Sequence, residues 1–332
     1  MELRRTAGEP RSRAFLQGHW MIQNVQTVSI ALIFVFLVIV FSLLDPHHFF
    51  TGSNLANAAR QIAPTVIASV TMTFVITSAG IDLSIGSLLA VSGASLGILA
   101  LHMNPLLALL LVLLIGLASG VIVGYLSAYQ GIAAFIVTLA GLTALRGVAE
   151  LITGGYSNPI NAPLLKFIGQ GKIAAIYTPI WIAAAVVALG WYVYSHTRFG
   201  RYLKAIGSNE ESARRVGINT RRVKMAALAV SGLTAAVAGI LVSTRLGSGS
   251  SNIGVAFELE VITAVVLGGT DLFGGRGSII GALFGALTLG VLSNGLVIIG
   301  LNVFWVPILQ GLILLLAILA NTKIFSRIGH TR

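Results

Sequence analysis

The chain has 332 residues, of which 56% are hydrophobic and only 9% are charged, and its mean hydropathy is +0.93. Soluble domains carry about 25% charged residues, so this composition excludes a water-soluble globular protein and indicates an all-α integral membrane protein. The absence of cysteine excludes disulfides and thiolate metal sites. The six histidines show no ligand spacing, so no metal site is expected.

Ten apolar segments follow one another along the chain, and most have about the length of a membrane span, which is roughly 17 to 25 residues. The eighth is too short to cross unless Phe257–Glu260 joins it. The first shows no small-residue cleavage site, so it is expected to be an uncleaved helix. The predicted spans are Thr27–Leu44, Ile62–Ala79, Gly86–Leu101, Pro105–Ala128, Ile132–Ile152, Ala175–Tyr194, Met225–Thr244, Val261–Gly268, Ser278–Ile299 and Val303–Ala320.

The net charge of +11 encodes membrane topology rather than nucleic-acid binding. Most of the 21 Lys and Arg residues lie in three short segments, 1–26, 196–224 and 321–332, a pattern that marks cytoplasmic loops. With the N-terminus in the cytoplasm, six crossings (27–195) return the chain at 196–224. Four more (225–320) return it at the C-terminus. The prediction is one membrane domain over 1–332 with both tails cytoplasmic, lipid around it and no nucleic-acid partner.

An aspartate, Asp82, interrupts the apolar stretch VITSAGIDLSIGSLLAV between the second and third spans. A charged side chain at membrane depth costs about 2.5 to 3.5 kcal/mol on insertion scales. Gly80 and Gly86 allow the chain to break there. Asp82 then either caps the third helix, accepting bonds from N–H groups near Ser84 and Ile85, or faces a polar passage together with Ser84. The two interpretations are compatible.

Two segments of the chain resemble each other. Residues 73–90, TFVITSAGIDLSIGSLLA, and residues 263–280, TAVVLGGTDLFGGRGSII, both run through glycine and an Asp-Leu pair into a second apolar run. Paired glycine-interrupted segments are typical of transport sites built from broken helices, although chance similarity between two glycine-rich stretches remains open. Asp271 and Arg276 are interpreted as a turn with a local ion pair rather than a binding site. Glu258 and Glu260 are expected to cap the short eighth segment or lie at an interface.

The fifth span carries two charged residues. Arg146 and Glu150 are four residues apart, so an ion pair within the helix is expected. Phe135 and Thr138, at the start of the same span, either pack in the core or contact a solute.

The polar segment 196–224, HTRFGRYLKAIGSNEESARRVGINTRRVK, lies between two spans. Ser208 and Glu211 match a capping box, which predicts a short polar helix ended by Gly217. A helix with both charge signs suits docking to a soluble partner, and the alternative is a solvated loop held by lipid headgroups. The chain contains no GxxxxGK[ST] phosphate-binding loop, so it is not expected to be an enzyme or to bind ATP itself.

Four segments together resemble the permease subunits of bacterial ABC importers for monosaccharides, the ribose-type family. The resemblance implies one of two permease subunits, a homodimer or heterodimer, in the bacterial inner membrane. Cytoplasmic ATPase subunits would bind ATP and Mg²⁺, and an extracytoplasmic sugar-binding protein would deliver the solute. The segments are GIDLSIGSLLA (80–90), FIVTLAGLTALRGV (135–148), HTRFGRYLKAIGSNEESARRVGIN (196–219) and ELEVITAVVLGGTDLFGGRGSIIGALFGA (258–286).

The resemblance also implies broken or re-entrant helices around Asp82 and a cytoplasmic coupling helix in the segment from Gly207 to Gly217. Two sets of functional residues are predicted from these observations. The predicted substrate path contains Asp82, Ser84, Phe135 and Thr138. The predicted ATPase coupling residues are Gly207, Ser208, Asn209, Glu210, Glu211, Arg214, Arg215 and Gly217. The alternative function is an ion-coupled secondary transporter that uses Asp82 or the pair Glu258 and Glu260.

Overall fold

The computed structural model describes the backbone of residues 11–302 and 304–329, with side chains for residues 26–302 and 304–319. The predicted all-α bundle is confirmed: helices dominate this part of the chain, and the sheets are two small two-stranded pairs. The helices are α1 (Arg11–Leu44), α2 (Gly52–Thr77), α3 (Ile85–His102), α4 (Pro105–Ala128), α5 (Ala134–Thr153), α6 (Pro163–Gln170), α7 (Thr178–His196), α8 (Arg198–Ser208), α9 (Glu210–Arg215), α10 (Thr220–Leu246), α11 (Phe257–Leu267), α12 (Ile279–Ile298) and α13 (Trp305–Gly329).

Eight of these helices are long and apolar enough to cross a membrane, and a ninth apolar run covers Trp305–Leu319 of α13. The predicted boundaries are wrong at α2, which begins at Gly52 rather than Ile62. Thr51 Oγ1 accepts a hydrogen bond from the Asn54 N–H at 3.2 Å, and this cap starts the helix in a polar stretch. At other starts a proline occupies the first turn, as in α4 and α7.

No single helix of spanning length is present at the eighth predicted span. Phe257–Glu260 do join it, but α11 has only 11 residues, or about 16 Å of helix. The irregular residues 247–256 precede it and run beside α3, where Gly249, Ile253 and Gly254 pack against three of its glycines. This pass therefore combines extended chain with a short helix. This interrupted pass, residues 247–267, is distinct from the broken helix that the sequence predicted around Asp82.

The core forms around α2, α3 and α10, in which 83%, 72% and 67% of the residues of the apolar stretch are buried. Helices α4 and α10 approach closely through glycine: a Cβ at Gly116 or Gly120 would press into α10 backbone at Gly232 or Leu228. Small residues allow this approach where lipid supplies no hydrophobic driving force between helices. The outer faces of α1, α4 and α13 expose leucine, isoleucine and phenylalanine, as lipid contact requires.

The two ends of the bundle differ. One end, the α8–α9 face, carries residues 197–219 and the α11–α12 connection, 268–278. The opposite end, the hairpin face, carries α6 and two strand pairs. In these pairs β1 (Asn158–Pro159) lies antiparallel to β4 (Ser248–Gly249), and β2 (Lys172–Ile173) lies antiparallel to β3 (Ile176–Tyr177).

Thr27 of α1 and Ile318 of α13 both lie toward the α8–α9 face. Thr27 Oγ1 lies 3.4 Å from Ser278 Oγ, next to the α11–α12 connection. Helix α13 starts with Val306 packed near Phe41 and reaches Ile318 beside the cluster around Val266. The even number of membrane crossings stays a prediction. Of the predicted tails, residues 1–10 and 330–332 lie outside the described residues, whereas 11–26 and 321–329 belong to α1 and α13.

Candidate functional site

The α2–α3 connection, residues 78–84, forms a tight break at the α8–α9 end of the bundle. The Ala79 N–H donates to the Ile76 carbonyl at 2.9 Å, and the Gly80 N–H donates to the Val75 carbonyl at 3.0 Å. This pattern is a Schellman cap, which requires a left-handed residue after the helix. Ala79 supplies it with φ +59°, a conformation that alanine adopts at a cost.

Asp82 closes this break. Its side chain is only 3% exposed. One carboxylate oxygen accepts from the Ser84 N–H at 3.0 Å and the Ser84 hydroxyl at 2.6 Å, and the other accepts from the Ser231 hydroxyl of α10 at 2.7 Å. The predicted bond to the Ser84 N–H is confirmed, whereas no bond from Ile85 is present. Asp82 thus ties the start of α3 to α10.

The remaining residues of the predicted substrate path separate into two environments. Thr138 is fully buried and donates to the Ile81 carbonyl at 3.0 Å, so it joins α5 to the same break as Asp82 and Ser84. Phe135 is 51% exposed on the outside of α5. The structure therefore brings three of the four residues together and leaves Phe135 apart. Their contact with a solute stays a prediction.

The α11–α12 connection repeats the same cap. The Gly269 N–H donates to the Val266 carbonyl and the Thr270 N–H to the Val265 carbonyl, at the positions that align with the α2–α3 break. Gly269 takes the left-handed conformation, with φ +88°. Asp271 Oδ1 accepts the Phe273 N–H two residues on, as Asp82 does with Ser84. The similarity between residues 73–90 and 263–280 therefore corresponds to shared local structure, and the turn predicted at Asp271 is confirmed.

The polar segment contains two helices, α8 and α9, where the sequence predicted one. Asn209 caps α9 by accepting the Ser212 N–H at 2.8 Å, while the Ser208 hydroxyl donates back to the Lys204 carbonyl. The predicted capping box of Ser208 with Glu211 is therefore wrong by one residue, because asparagine is an equally good cap. The end of the short helix at Gly217, with φ +86°, is confirmed.

Helix α9 has an inner side and an outer side. On the inner side Glu210 binds Lys224 of α10 and accepts from Arg214 at 3.3 Å. Burial acts to raise the pKa of Glu210, but the hydrogen bond and charge of Lys224, helped by Thr220 and Arg214, outweigh it and lower the pKa below its ordinary value. On the outer side Glu211 and Arg215 pair with each other and remain exposed.

Val216 extends the outer side of α9. It is 77% exposed, directly after Arg215, on a face that is otherwise polar. An apolar side chain displayed in this way suits insertion into a pocket of another protein. Of the predicted coupling residues, Glu210 therefore joins α9 to α10, and Arg214, itself exposed, pairs with Glu210 along α9. Glu211 and Arg215 face outward beside Val216, which was not predicted from the sequence.

Helix α8 packs closely against both breaks, the α2–α3 connection and the α11–α12 connection. The Gly275 N–H donates to the Thr77 carbonyl, at the end of α2, at 2.8 Å. Gly207 packs onto the same carbonyl and onto Gly275, so a Cβ at Gly207 would overlap the backbone of both. Gly274 fits against Ala79 in the same way. Movement of α8 therefore presses directly on α2 and on the α11–α12 connection.

A cavity of about 400 Å³ lies beside this contact, between α9 and the α4–α5 connection. Its wall includes Gly80 and Ala133 on one side and Glu210, Arg214 and Lys224 on the other. The cavity leaves room for α9 to move toward the α2–α3 break.

Arg146 has a different role from the predicted one. Its guanidinium donates to the carbonyls of Ser251, Ile253 and Gly254 at 2.5, 2.9 and 3.2 Å, rather than pairing with Glu150. Irregular backbone at membrane depth must have its polar groups satisfied within the protein, and Arg146 does so for residues 251–254. The predicted ion pair with Glu150 is wrong because the guanidinium is directed to the carbonyls of residues 251–254 instead.

The two glutamates of α11 face different neighbours. Glu258 is 9% exposed and lies against Gly86 of α3, where a Cβ would overlap its carboxylate. Glu260 accepts a hydrogen bond from the Thr65 hydroxyl of α2 at 2.9 Å. Both stand in the first turn of α11, where the helix dipole favours negative charge.

Sequence reasoning missed three contacts: Ser231 to Asp82, Arg146 to the 251–254 carbonyls, and Gly207 to Thr77. Each joins residues far apart in the chain, so no local pattern reveals the partner. Helix α8 could have been found, since Gly200, Leu203, Ile206 and Gly207 recur at helical spacing within the polar segment.

Comparison with known proteins covers most of the chain. Residues 54–318 match the family described as branched-chain amino acid transport system / permease component. The chain is 39% identical over 318 residues to the ribose import permease protein RbsC of Escherichia coli K12, covering 94% of this chain and 97% of that protein. It is 39% identical over 292 residues to RbsC of Bacillus subtilis, covering 86% and 90%.

A relative with a different named sugar also matches. The xylose transport system permease protein XylH of Escherichia coli K12 is 32% identical over 358 aligned positions, covering 89% of this chain and 91% of that protein. These relatives support the importer-permease interpretation of the sequence over the ion-coupled alternative.

Proposed function

We propose that this chain, which belongs to the family of permease components that its residues 54–318 match, is the membrane passage of an ATP-driven importer for a monosaccharide. The observation that carries the proposal is the extent of the similarity: ribose and xylose permeases match the chain over 86 to 94% of its length. The family description mentions amino acids, but the individual relatives named above are sugar permeases. A neutral sugar is therefore the proposed solute.

The proposed assembly needs partners on both ends of the bundle. A cytoplasmic ABC ATPase, which supplies the ATP and Mg²⁺ sites, docks on the outer side of α9 around Val216. A sugar-binding protein docks on the hairpin face, and a second permease subunit completes the passage. The α8–α9 face is then cytoplasmic in the bacterial inner membrane, as are both termini.

The contacts of α8 support a mechanical role for this face. The ATPase pushes on α9, and the Glu210–Lys224 pair keeps α9 attached to α10. Gly207 transmits the displacement to the Thr77 carbonyl and Gly275, because the contact has no slack to absorb it. The displacement reaches residues 78–84 and 268–278, the two non-helical connections within the bundle.

Docking can be tested with the substitution Val216→Asp. Loss of a buried apolar anchor at an interface costs about 2 kcal/mol or more, so co-purification of the ATPase should fall on the order of tenfold or more. Tyr156→Asp on the hairpin face is a matched control, because Tyr156 is 79% exposed. ATPase binding that is unchanged by Val216→Asp would remove α9 as the docking site.

Orientation can be tested independently, because the natural chain has no cysteine. Val216→Cys and Tyr156→Cys place single thiols on opposite ends of the bundle. When the chain is expressed without the ATPase, a membrane-impermeant maleimide should label the Tyr156 variant in intact spheroplasts and the Val216 variant only after permeabilisation. The reverse labelling pattern contradicts the proposed topology, and with it the cytoplasmic ATPase site.

A further inference from the structure

A second cavity, of about 320 Å³, lies between α2, α11, α12 and α13, remote from the coupling contacts. Its volume is at the lower end of the range of about 300 to 1,000 Å³ for small-molecule sites. Five polar side chains contribute to its wall, and α2, α11, α12 and α13 each supply at least one of them. They are Gln61, Glu260, Ser293, Asn294 and Gln310.

Glu260 is the informative member of this wall. Within the described part of the chain, only Thr65 donates a hydrogen bond to it, and that bond occupies Oε1. Among the described residues, none of those that line the cavity is a lysine or an arginine. Ionisable groups within membrane segments are costly and mark functional sites by default. The coupling mechanism makes no use of Glu260, so its place on the cavity wall needs another explanation.

The neighbouring amides are held in position. Asn54 and Asn294 donate to each other's side-chain oxygens at 3.0 Å in both directions. This reciprocal pair fixes the Asn294 amide and leaves its remaining donor and acceptor capacity for the cavity. The apolar part of the wall comes from Ile62, Val297 and Val306.

We infer that this cavity is a binding site for a neutral polyhydroxylated solute, with Glu260 accepting its hydroxyl groups. The inference rests on the proposed sugar-import function and extends it to a specific site in the single chain. An anion would meet the Glu260 carboxylate without a compensating cation. A neutral polyol instead offers hydroxyl donors to Glu260, paired donors and acceptors to the amides, and C–H surface to the apolar wall.

The site lies near the hairpin-face ends of α2, α12 and α13, with Glu260 at its inner limit. Asn54 and Gln61 belong to the first turns of α2, while Asn294 and Gln310 lie near the end of α12 and the start of α13. A solute arriving from the hairpin face therefore reaches this cavity before it reaches the α2–α3 break.

A single-cysteine experiment tests the site directly in the complete importer, reconstituted in vesicles. Ser293→Cys places one thiol in the cavity wall of a chain that has none. A small hydrophilic methanethiosulfonate should label it, and D-ribose or D-xylose should slow the labelling. Ala188→Cys is the control, because Ala188 of α7 lines an apolar groove between α7, α2 and α12 and the thiol should resist the same reagent. Labelling slowed by sodium ions but by neither sugar would overturn the polyol assignment.

Glu260→Gln supplies the second measurement. The KM for sugar uptake should rise on the order of tenfold, and Glu260→Asp should recover part of the loss. Normal uptake by Glu260→Gln, or an unprotected thiol at 293, overturns the site while ATP-dependent uptake by the unaltered chain still upholds the proposed function. Absence of uptake by the unaltered importer would refute the proposed function itself.

Discussion

The two helix–break–helix units, α2–α3 and α11–α12, have the same cap but different surroundings. In the first, Asp82 is 3% exposed and accepts three hydrogen bonds that join α3 to α10. In the second, Asp271 is partly exposed, and its carboxylate accepts the Phe273 N–H at 3.0 Å. Similar sequence gives the two units the same local backbone structure, whereas their burial differs. The first unit is bonded to α10 and α5. The second packs against the end of α8 through Gly274 and Gly275.

The difference predicts unequal costs for removing the two aspartates. Asp82→Ala leaves the Ser84 and Ser231 donors unpaired in the core, so it should lower the free energy of unfolding by about 3 kcal/mol. Asp271→Ala removes one bond at a partly exposed turn and should cost about 1 kcal/mol or less. Denaturation in mixed detergent micelles measures both.

Asp82→Asn separates the capping role from a role in the passage. The amide keeps an acceptor for the Ser84 N–H, so most of the stability should return. If uptake also returns, Asp82 acts as a cap. A stable Asp82→Asn protein with normal ATPase activity and no uptake would instead establish a direct contact with the solute. Equal costs for Asp82→Ala and Asp271→Ala would contradict the difference in burial.

The left-handed residues of the two caps should respond in opposite directions. Gly269→Ala places a Cβ at φ +88° and beside Gln26, so it should destabilise the protein by about 1 to 2 kcal/mol. Ala79→Gly relieves the same strain at φ +59° and should stabilise the protein by roughly 0.5 to 1 kcal/mol. The same denaturation measurement checks the signs. Destabilisation by both changes would mean that Ala79 packing outweighs backbone strain.

A smaller effect is expected where α5 joins the first break. Thr138→Val removes the buried donor to the Ile81 carbonyl and should cost about 1 kcal/mol. Thr143→Val is the matched control on the same helix, because Thr143 is exposed and bonds only to the Ala140 carbonyl of its own helix. Equal stabilities of the two variants would show that α5 is not tied to the break through Thr138.

Much of the fold followed from the sequence, because span length and hydropathy are local properties. The positions of nine long helices, the shortness of α11 and the polar α9 were predicted in this way. The start of α2 at Gly52 was missed because an N-cap there extends the helix into polar residues. The division of 196–224 into α8 and α9 was missed because one capping signal at Ser208 concealed a better one at Asn209.

The site was only partly predictable. The Asp-Leu motif located a broken helix, and the capping of Ser84 followed from chemistry within two residues. The donors that complete it, Ser231 and Thr138, come from distant helices. For Arg146, the helical spacing favoured an ion pair with Glu150. The guanidinium instead donates to backbone carbonyls of the non-helical residues 251–254. Tertiary placement of irregular chain is what a periodic pattern cannot predict.

The number of solute molecules imported per ATP, measured for Gly207→Ala in the reconstituted importer, tests the transmission of force most directly. The added methyl would overlap the Thr77 carbonyl and Gly275 but leaves the outer side of α9 intact. ATPase binding and hydrolysis should therefore persist while the ratio falls on the order of tenfold. Gly311→Ala, whose methyl meets nothing within 4 Å, should leave the ratio unchanged. An unaltered ratio in Gly207→Ala would contradict the account.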